Sequence, residues 1–321
     1  MKPEQLSIGG RAIDRYPIEG RDMWLALRQQ DVTASAAGAL LGGHPYVSAY
    51  GLWALKSGRI KEDALETPAM RRGRLLEPVA VELLREERPD WTIERGAHYY
   101  RDAARRIGAT PDALAHDAEG RLGVIQIKSV EPSIFRRNWS GEEGVEPPLW
   151  IALQAMIESE LTGATWAVVA ALTVSHGIEI HVVEIDLTHR APIMARLEEA
   201  VADFWRTVAA GSIPDIDYGR DLALVERLYV PSGETIDLSQ DNQVLDLVAE
   251  RTSLGKTVKD AEARLVGIKG ALLDKLGSAS IGLLPDGRAL KAARLSRKAY
   301  TVPAGTYLQL RVMNRKPTDE S

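Results

Sequence analysis

The chain has 321 residues, 45% hydrophobic and 26% charged, ordinary values for a folded globular protein of about two domains, and they argue against wholesale disorder and fibrous repeats. It has no cysteine, which excludes disulfides, cysteine-ligated zinc and iron–sulfur clusters; it also shows no apolar run of the roughly 18 residues a membrane span needs, and no apolar stretch in MKPEQLSIGG to suggest a secretory signal. The net charge of −5 is uneven, with 14 Lys/Arg against 6 Asp/Glu from Asp246 to Lys316, a basic tail on an acidic body that suits either a polyanionic partner or a solvated helical face.

In chain order, residues 20–57 read as short helices. Trp24, Leu25 and Leu27 share one amphipathic stretch, Thr33-Ala34-Ser35 is a helix start with Ser or Thr as N-cap, and Gly42-Gly43-His44-Pro45-Tyr46 is a turn before a helix carrying Leu52, Trp53 and Leu55. A longer helix is predicted over about 68–87, with Pro78 kinking or restarting it next to Glu77. From 91 to 130 the period changes to that of strands, at about 91–94, 98–101, 107–109, 112–116 and 122–129, broken at Gly96, Gly108 and Asp117–Gly120. A helix at about 148–162 places Trp150, Leu153, Ile157 and Leu161 on one face. Strands at 166–174 and 178–185 and a helix at 188–210 close this unit.

From about 212 the character differs. Pro214, Asp215, Asp217 and Gly219 mark a linker, residues 241–276 read as one long helix or a helical pair, a hairpin turns at Pro285-Asp286-Gly287, and a last strand falls near 307–312. The expected fold is α/β with a mixed central sheet flanked by helices over residues 1–212, and a basic C-terminal extension, helical pair plus β-hairpin, over 213–321.

Some motifs carry nothing. Gly255-Lys256-Thr257 resembles the end of a phosphate-binding loop, but the Gly required five residues earlier is Glu250 and no strand precedes it. The six histidines show no zinc-like spacing. The informative stretch is Thr110-Pro111-Asp112 followed by Gln126-Ile127-Lys128. Alternation along a strand points Gln126 and Lys128 the same way, and a hairpin would bring Asp112 beside them. An acid, an amide oxygen and an ammonium at one sheet end suit phosphodiester hydrolysis. Hard oxygens hold a Mg²⁺ ion, and the lysine stabilises charge on the phosphate or orients water.

With its surroundings this stretch resembles the lambda-exonuclease-like (YqaJ) phage recombination nucleases of the PD-(D/E)XK superfamily. The resemblance spans about residues 20–210. Its parts occur in family order: Trp24-x-x-x-Arg28, Thr33-Ala34-Ser35, Arg72-Gly73-x-x-x-Glu77, Thr110-Pro111-Asp112, Gln126-Ile127-Lys128 and Gln154. The resemblance implies a restriction-endonuclease-like core and a DNA exonuclease that uses Mg²⁺, with Mn²⁺ as an alternative. It would digest one strand of linear double-stranded DNA from the 5′ end. It implies Asp112, Gln126 and Glu77 as metal ligands, Lys128 as catalytic lysine, and Arg28, Ser35, Thr110 and Gln154 as contacts to the terminal 5′-phosphate. It further implies a single-strand annealing protein as partner, a homotrimeric ring around DNA, and work in the cytoplasm of a bacterial host, from a phage or prophage.

One position departs from the family: Gln126 stands where a glutamate is usual. Glu158, one helical turn after Gln154, is a candidate to supply the missing carboxylate. The expectation is an active site. The alternatives are an endonuclease or repair enzyme of the same superfamily, and a catalytically silent DNA-binding module.

Overall fold

The computed structural model describes residues 2–61, 67–141, 144–297, 304 and 308–313. The chain divides into two compact units, Met1–Tyr229 and Val230–Ser321. The first opens with β1 (Glu4–Ile8), β2 (Arg11–Pro17), α1 (Arg21–Gln29), β3 (Val32–Thr33), α2 (Ala34–Ala37), α3 (Ala49–Lys56) and α4 (Pro68–Glu87). It continues with β4 (Thr92–Arg95), β5 (His98–Asp102), β6 (Ile107–Ala109), β7 (Ala113–His116), β8 (Leu122–Val130), α5 (Pro132–Asn138), β9 (Ser140–Gly141) and β10 (Gly144–Val145). It ends with α6 (Leu149–Thr162), β11 (Trp166–Val174), β12 (Ile178–Glu184), α7 (Arg190–Ala209) and α8 (Tyr218–Leu228). The second unit holds α9 (Asn242–Leu276), β13 (Ile281–Leu283) and β14 (Ala289–Lys291).

The central sheet has the order β12-β11-β8-β7-β4. It is mixed: β8 and β11 are parallel, with Gln126 opposite Val169, and the other pairs are antiparallel. β8 is long and apolar because both of its faces are covered. Ile125 and Ile127 pack with Ala80, Val81 and Leu84 of α4. Val124 and Val130 pack on the opposite face with Ile151 and Ala155 of α6. α6 is apolar nearly all round because its remaining side meets a third cluster, through Leu153, Ile157 and Leu161. That cluster also contains residues of the second five-stranded sheet, β1-β2-β5-β6-β3. This is the helix-flanked mixed sheet expected of a restriction-endonuclease-like core.

The structure corrects several expectations. The 1–212 boundary moves outward, because the supposed linker contains α8. Asp221 of α8 is buried and accepts a hydrogen bond from Ser48 Oγ at 2.7 Å, while Leu224, Val225 and Leu228 pack on the core. α4 does not restart at Pro78 but runs past it as one helix, and its N-cap Thr67 accepts from Met70 N. The C-terminal helical pair is a single 35-residue helix: three interior glycines cost about 1 kcal/mol each against alanine, and that does not break it. The last strand is absent over 308–313, and Tyr307 lies outside the described residues. The hairpin at 285–287 is present between β13 and β14, with Gly287 in the left-handed region at φ 82°.

Candidate active site

The β7–β8 ladder pairs Ala113 with Ile125 and stops there. One step further the Asp112 side chain takes over from the backbone, and its Oδ2 accepts Ile127 N–H at 2.8 Å. The carboxylate is thereby fixed at the sheet end, beside the face of β8 that carries Gln126 and Lys128. Gln154 and Glu158, four residues apart on α6, are both buried and meet that face.

A continuous chain of hydrogen bonds joins these groups. Lys128 Nζ donates to Gln154 Oε1 at 3.0 Å. Gln154 Nε2 donates to Gln126 Oε1 at 2.7 Å and to Glu158 Oε1 at 2.9 Å. Gln126 Nε2 donates to Asp112 Oδ2. The direction follows from the lysine, because an ammonium can only donate. Gln154 must therefore turn its oxygen to Lys128 and its nitrogen to Gln126, and Gln126 must turn its nitrogen to Asp112.

Two carboxyls in this cluster are perturbed. Burial pushes Asp112 up to about 7; the Lys128 ammonium opposes the rise, Glu77 adds to it, and the Ile127 N–H opposes it. Burial also raises Glu158, with Asp112 adding to the effect and the Gln154 hydrogen bond and Lys128 opposing it.

Beside the cluster opens a cavity of about 770 Å³. Its lining brings together Asp112, Glu77, Gln154 and Glu158 with Arg28, Ser35 and Thr110. Gln126 and Lys128 stand behind this wall, Gln126 fully buried. Trp24 Nε1 donates to Thr110 Oγ1 at 3.0 Å, and the Arg28 guanidinium lies 4.3 Å from the Trp24 ring centre. Ser35 is no N-cap: Thr33 holds the cap position without a capping bond, and its hydroxyl lies 3.2 Å from that of Ser35. Glu77 is ion-paired to Arg95 at 3.3 Å.

Residues 23–165, which contain Glu77, Asp112, Gln126, Lys128, Gln154 and Glu158 together with Trp24, Arg28, Ser35 and Thr110, match the family model of the YqaJ-like viral recombinase domain. This part of the chain is similar to that family. Among solved structures, the chain is similar to an alkaline exonuclease from Laribacter hongkongensis, at 21% identity over 64% of this chain and 99% of that one, with a TM-score of 0.47. It is also similar to a protein from Eubacterium rectale described as an exonuclease, at 11% identity over 71% and 98%, with a TM-score of 0.44. No curated protein matches the sequence.

Among the described residues, no set of three or more Asp, Glu, His or Cys side chains is disposed to hold a metal ion. A Mg²⁺ ion does not require such a set, since one or two carboxylates commonly hold it and water and substrate phosphates complete the octahedron. Asp112 and Glu158 are two carboxylates on the cavity wall, and Glu158 Oε2 is buried without a hydrogen-bond partner. Gln126 gives one lone pair of its oxygen to Gln154, so ligation through it would use the other.

Sequence reasoning missed three features of the site. Arg21 and Arg74 line the cavity, and neither lies at a position carried by the family motifs. Gly96 was read only as a strand break. Its N–H donates to Asp112 O at 2.8 Å, and a Cβ there would lie 1.8 Å from Pro111 O. The glycine lets the β4–β5 turn press directly on the segment that carries Asp112.

Proposed function

We propose that this protein is a metal-dependent exonuclease that digests linear double-stranded DNA from the 5′ end in phage-type recombination. One observation carries the reading. The acid–amide–lysine chain from Asp112 to Lys128 borders a cavity that is also lined by three arginines, Arg21, Arg28 and Arg74, and by the hydroxyls of Ser35 and Thr110.

The arginine forks suit a terminal phosphate. Trp24 N–H occupies a lone pair of Thr110 Oγ1, which leaves the threonine O–H to donate into the cavity. Asp112 and Glu158 would hold Mg²⁺ or Mn²⁺, with Glu77 at the rim. When bound, the cation neutralises charge at the scissile phosphate and acidifies water. Gln154 aims the Lys128 ammonium, which offsets the negative charge that grows on the phosphate oxygens. The reading extends to a single-strand annealing partner, a trimeric ring and the bacterial cytoplasm, all by family resemblance. Among the described residues no helix is long and apolar enough to cross a membrane.

A second reading, a silent DNA-binding module, has Gln126 in its favour, because this amide satisfies Asp112 without a cation. Linear duplex labelled at either 5′ or 3′ end and covalently closed duplex, each in Mg²⁺ or EDTA, separate the readings. The exonuclease releases the 5′ label from the linear substrate only, and only with metal. Cutting of closed circles would indicate an endonuclease instead. Binding without release in any condition would indicate the silent module.

A further inference from the structure

We propose that α9 is a pairing helix through which two copies of this chain associate as an antiparallel coiled coil. α9 spans 35 residues, none of them buried, a length of roughly 50 Å. Apolar residues recur along it at alternating three- and four-residue steps. Val244, Leu247, Leu254, Val258, Leu265 and Ile268 fall on one seam, with Arg251 and Ala261 at the two remaining positions. Leu254 and Val258 are each 57% exposed and Leu265 is 65% exposed. A sustained seven-residue apolar repeat is the pattern that packs one helix against another.

The charge of the helix argues against nucleic acid on this seam. α9 itself carries six Lys/Arg and five Asp/Glu, whereas the stretch from Gly277 to Lys316 carries eight Lys/Arg and one Asp. Binding to a phosphate backbone draws on a positive excess, which α9 lacks.

Charge also selects a second copy and its direction. In a parallel, in-register pair Arg251 would stack on its own counterpart, and Arg264 would flank Lys269 of the other copy. An antiparallel pair centred near Lys256 avoids both clashes. Val258 then faces Leu254 of the second copy, Leu265 faces Leu247, Val244 faces Ile268, and Arg251 faces Ala261. Glu250 flanks Arg264 of the second copy, twice by symmetry. Only the Arg251 stem lies in the seam, since its Nη2 donates to the Leu310 carbonyl at 3.2 Å. This register ends before Leu276, which the chain's own hairpin covers: a Cβ on Gly282 would sit 2.7 Å from Leu276 Cδ2.

Light scattering of the full chain after gel filtration, at about 20 µM and 150 mM salt, tests this. Replacing Leu254 and Leu265 by Asp together should halve the mass, from two chains to one or from two paired trimeric rings to one ring, while the far-ultraviolet spectrum of the core persists. Glu250→Arg should lower the mass, and adding Arg264→Glu should restore it. Because the chain has no cysteine, Val258→Cys reports direction: antiparallel pairing leaves it uncrosslinked under oxidation. Three results would each overturn the proposal. They are a mass unmoved by the paired Asp substitutions, no rescue by the double charge reversal, and a disulfide between two copies through position 258. An unmoved mass together with weaker DNA binding would reassign the seam to nucleic acid.

Discussion

At position 126 an amide rather than a carboxylate faces Asp112, and the lysine two residues on sets which way that amide points. The consequence is a site whose hydrogen bonds close without a cation, save for Glu158 Oε2. Gln126→Glu removes the donor to Asp112 and sets two carboxylates against each other. We expect it to cost about 1–3 kcal/mol of stability in EDTA and to recover most of that in Mg²⁺, read as melting temperatures in the two buffers. Equal destabilisation in both would mean that no cation enters between residues 112, 126 and 158. Titration gives a second check. Asp112 titrates at about 7 and Glu158 is also raised, both mainly by burial. A raised acid binds its proton more tightly when folded, so without metal Asp112 contributes a stability that is lost as pH climbs from about 4 through about 7, and Glu158 acts in the same direction. Metal needs both groups ionised and releases their protons. The melting-temperature gain from Mg²⁺ should therefore be larger at pH 8 than at pH 5.5, and a gain independent of pH would contradict the assignment.

Elements aim these residues, and the closest fit is at Gly96, where the β4–β5 turn meets Pro111. Gly96→Ala forces a shift of backbone against backbone. It should cost about 1–3 kcal/mol in thermal unfolding and lower cleavage by roughly tenfold or more, because Asp112 is displaced. Unchanged cleavage would show that the turn does not position the acid. The elements around the site were legible in the sequence. The strands at 107–109 and 166–174 and the helix at 68–87 are where periodicity put them, since strongly patterned, two-sided burial leaves a clear signal. β1 and β2 were not foreseen. Their charged sequences EQLSI and RAIDRYP have too little apolar alternation to be read without the partner β5. α8 was hidden by its Pro- and Asp-rich lead-in. Asp112, Lys128 and Gln154 were legible through motif order, whereas Arg21, Arg74 and Gly96 reach the site only through tertiary packing.

Over the whole molecule, acidic and basic charge are separated along the chain. The first unit carries the acidic balance and the candidate site, and the residues after α9 carry the basic excess. If that tail holds DNA backbone, replacing Lys291, Arg294 and Arg297 by Gln should lower the slope of log affinity against log salt by about three. An unchanged slope would remove the tail from the interface. The network at the sheet end is put to the test by one comparison. Wild type and Asp112→Ala are incubated with 5′-labelled linear duplex in Mg²⁺ and in EDTA, and DNA binding is measured alongside. Wild type should release the label only in Mg²⁺, and the variant should bind DNA but release at least roughly a hundredfold less. Release by the variant at the wild-type rate, or by wild type in EDTA, would contradict this.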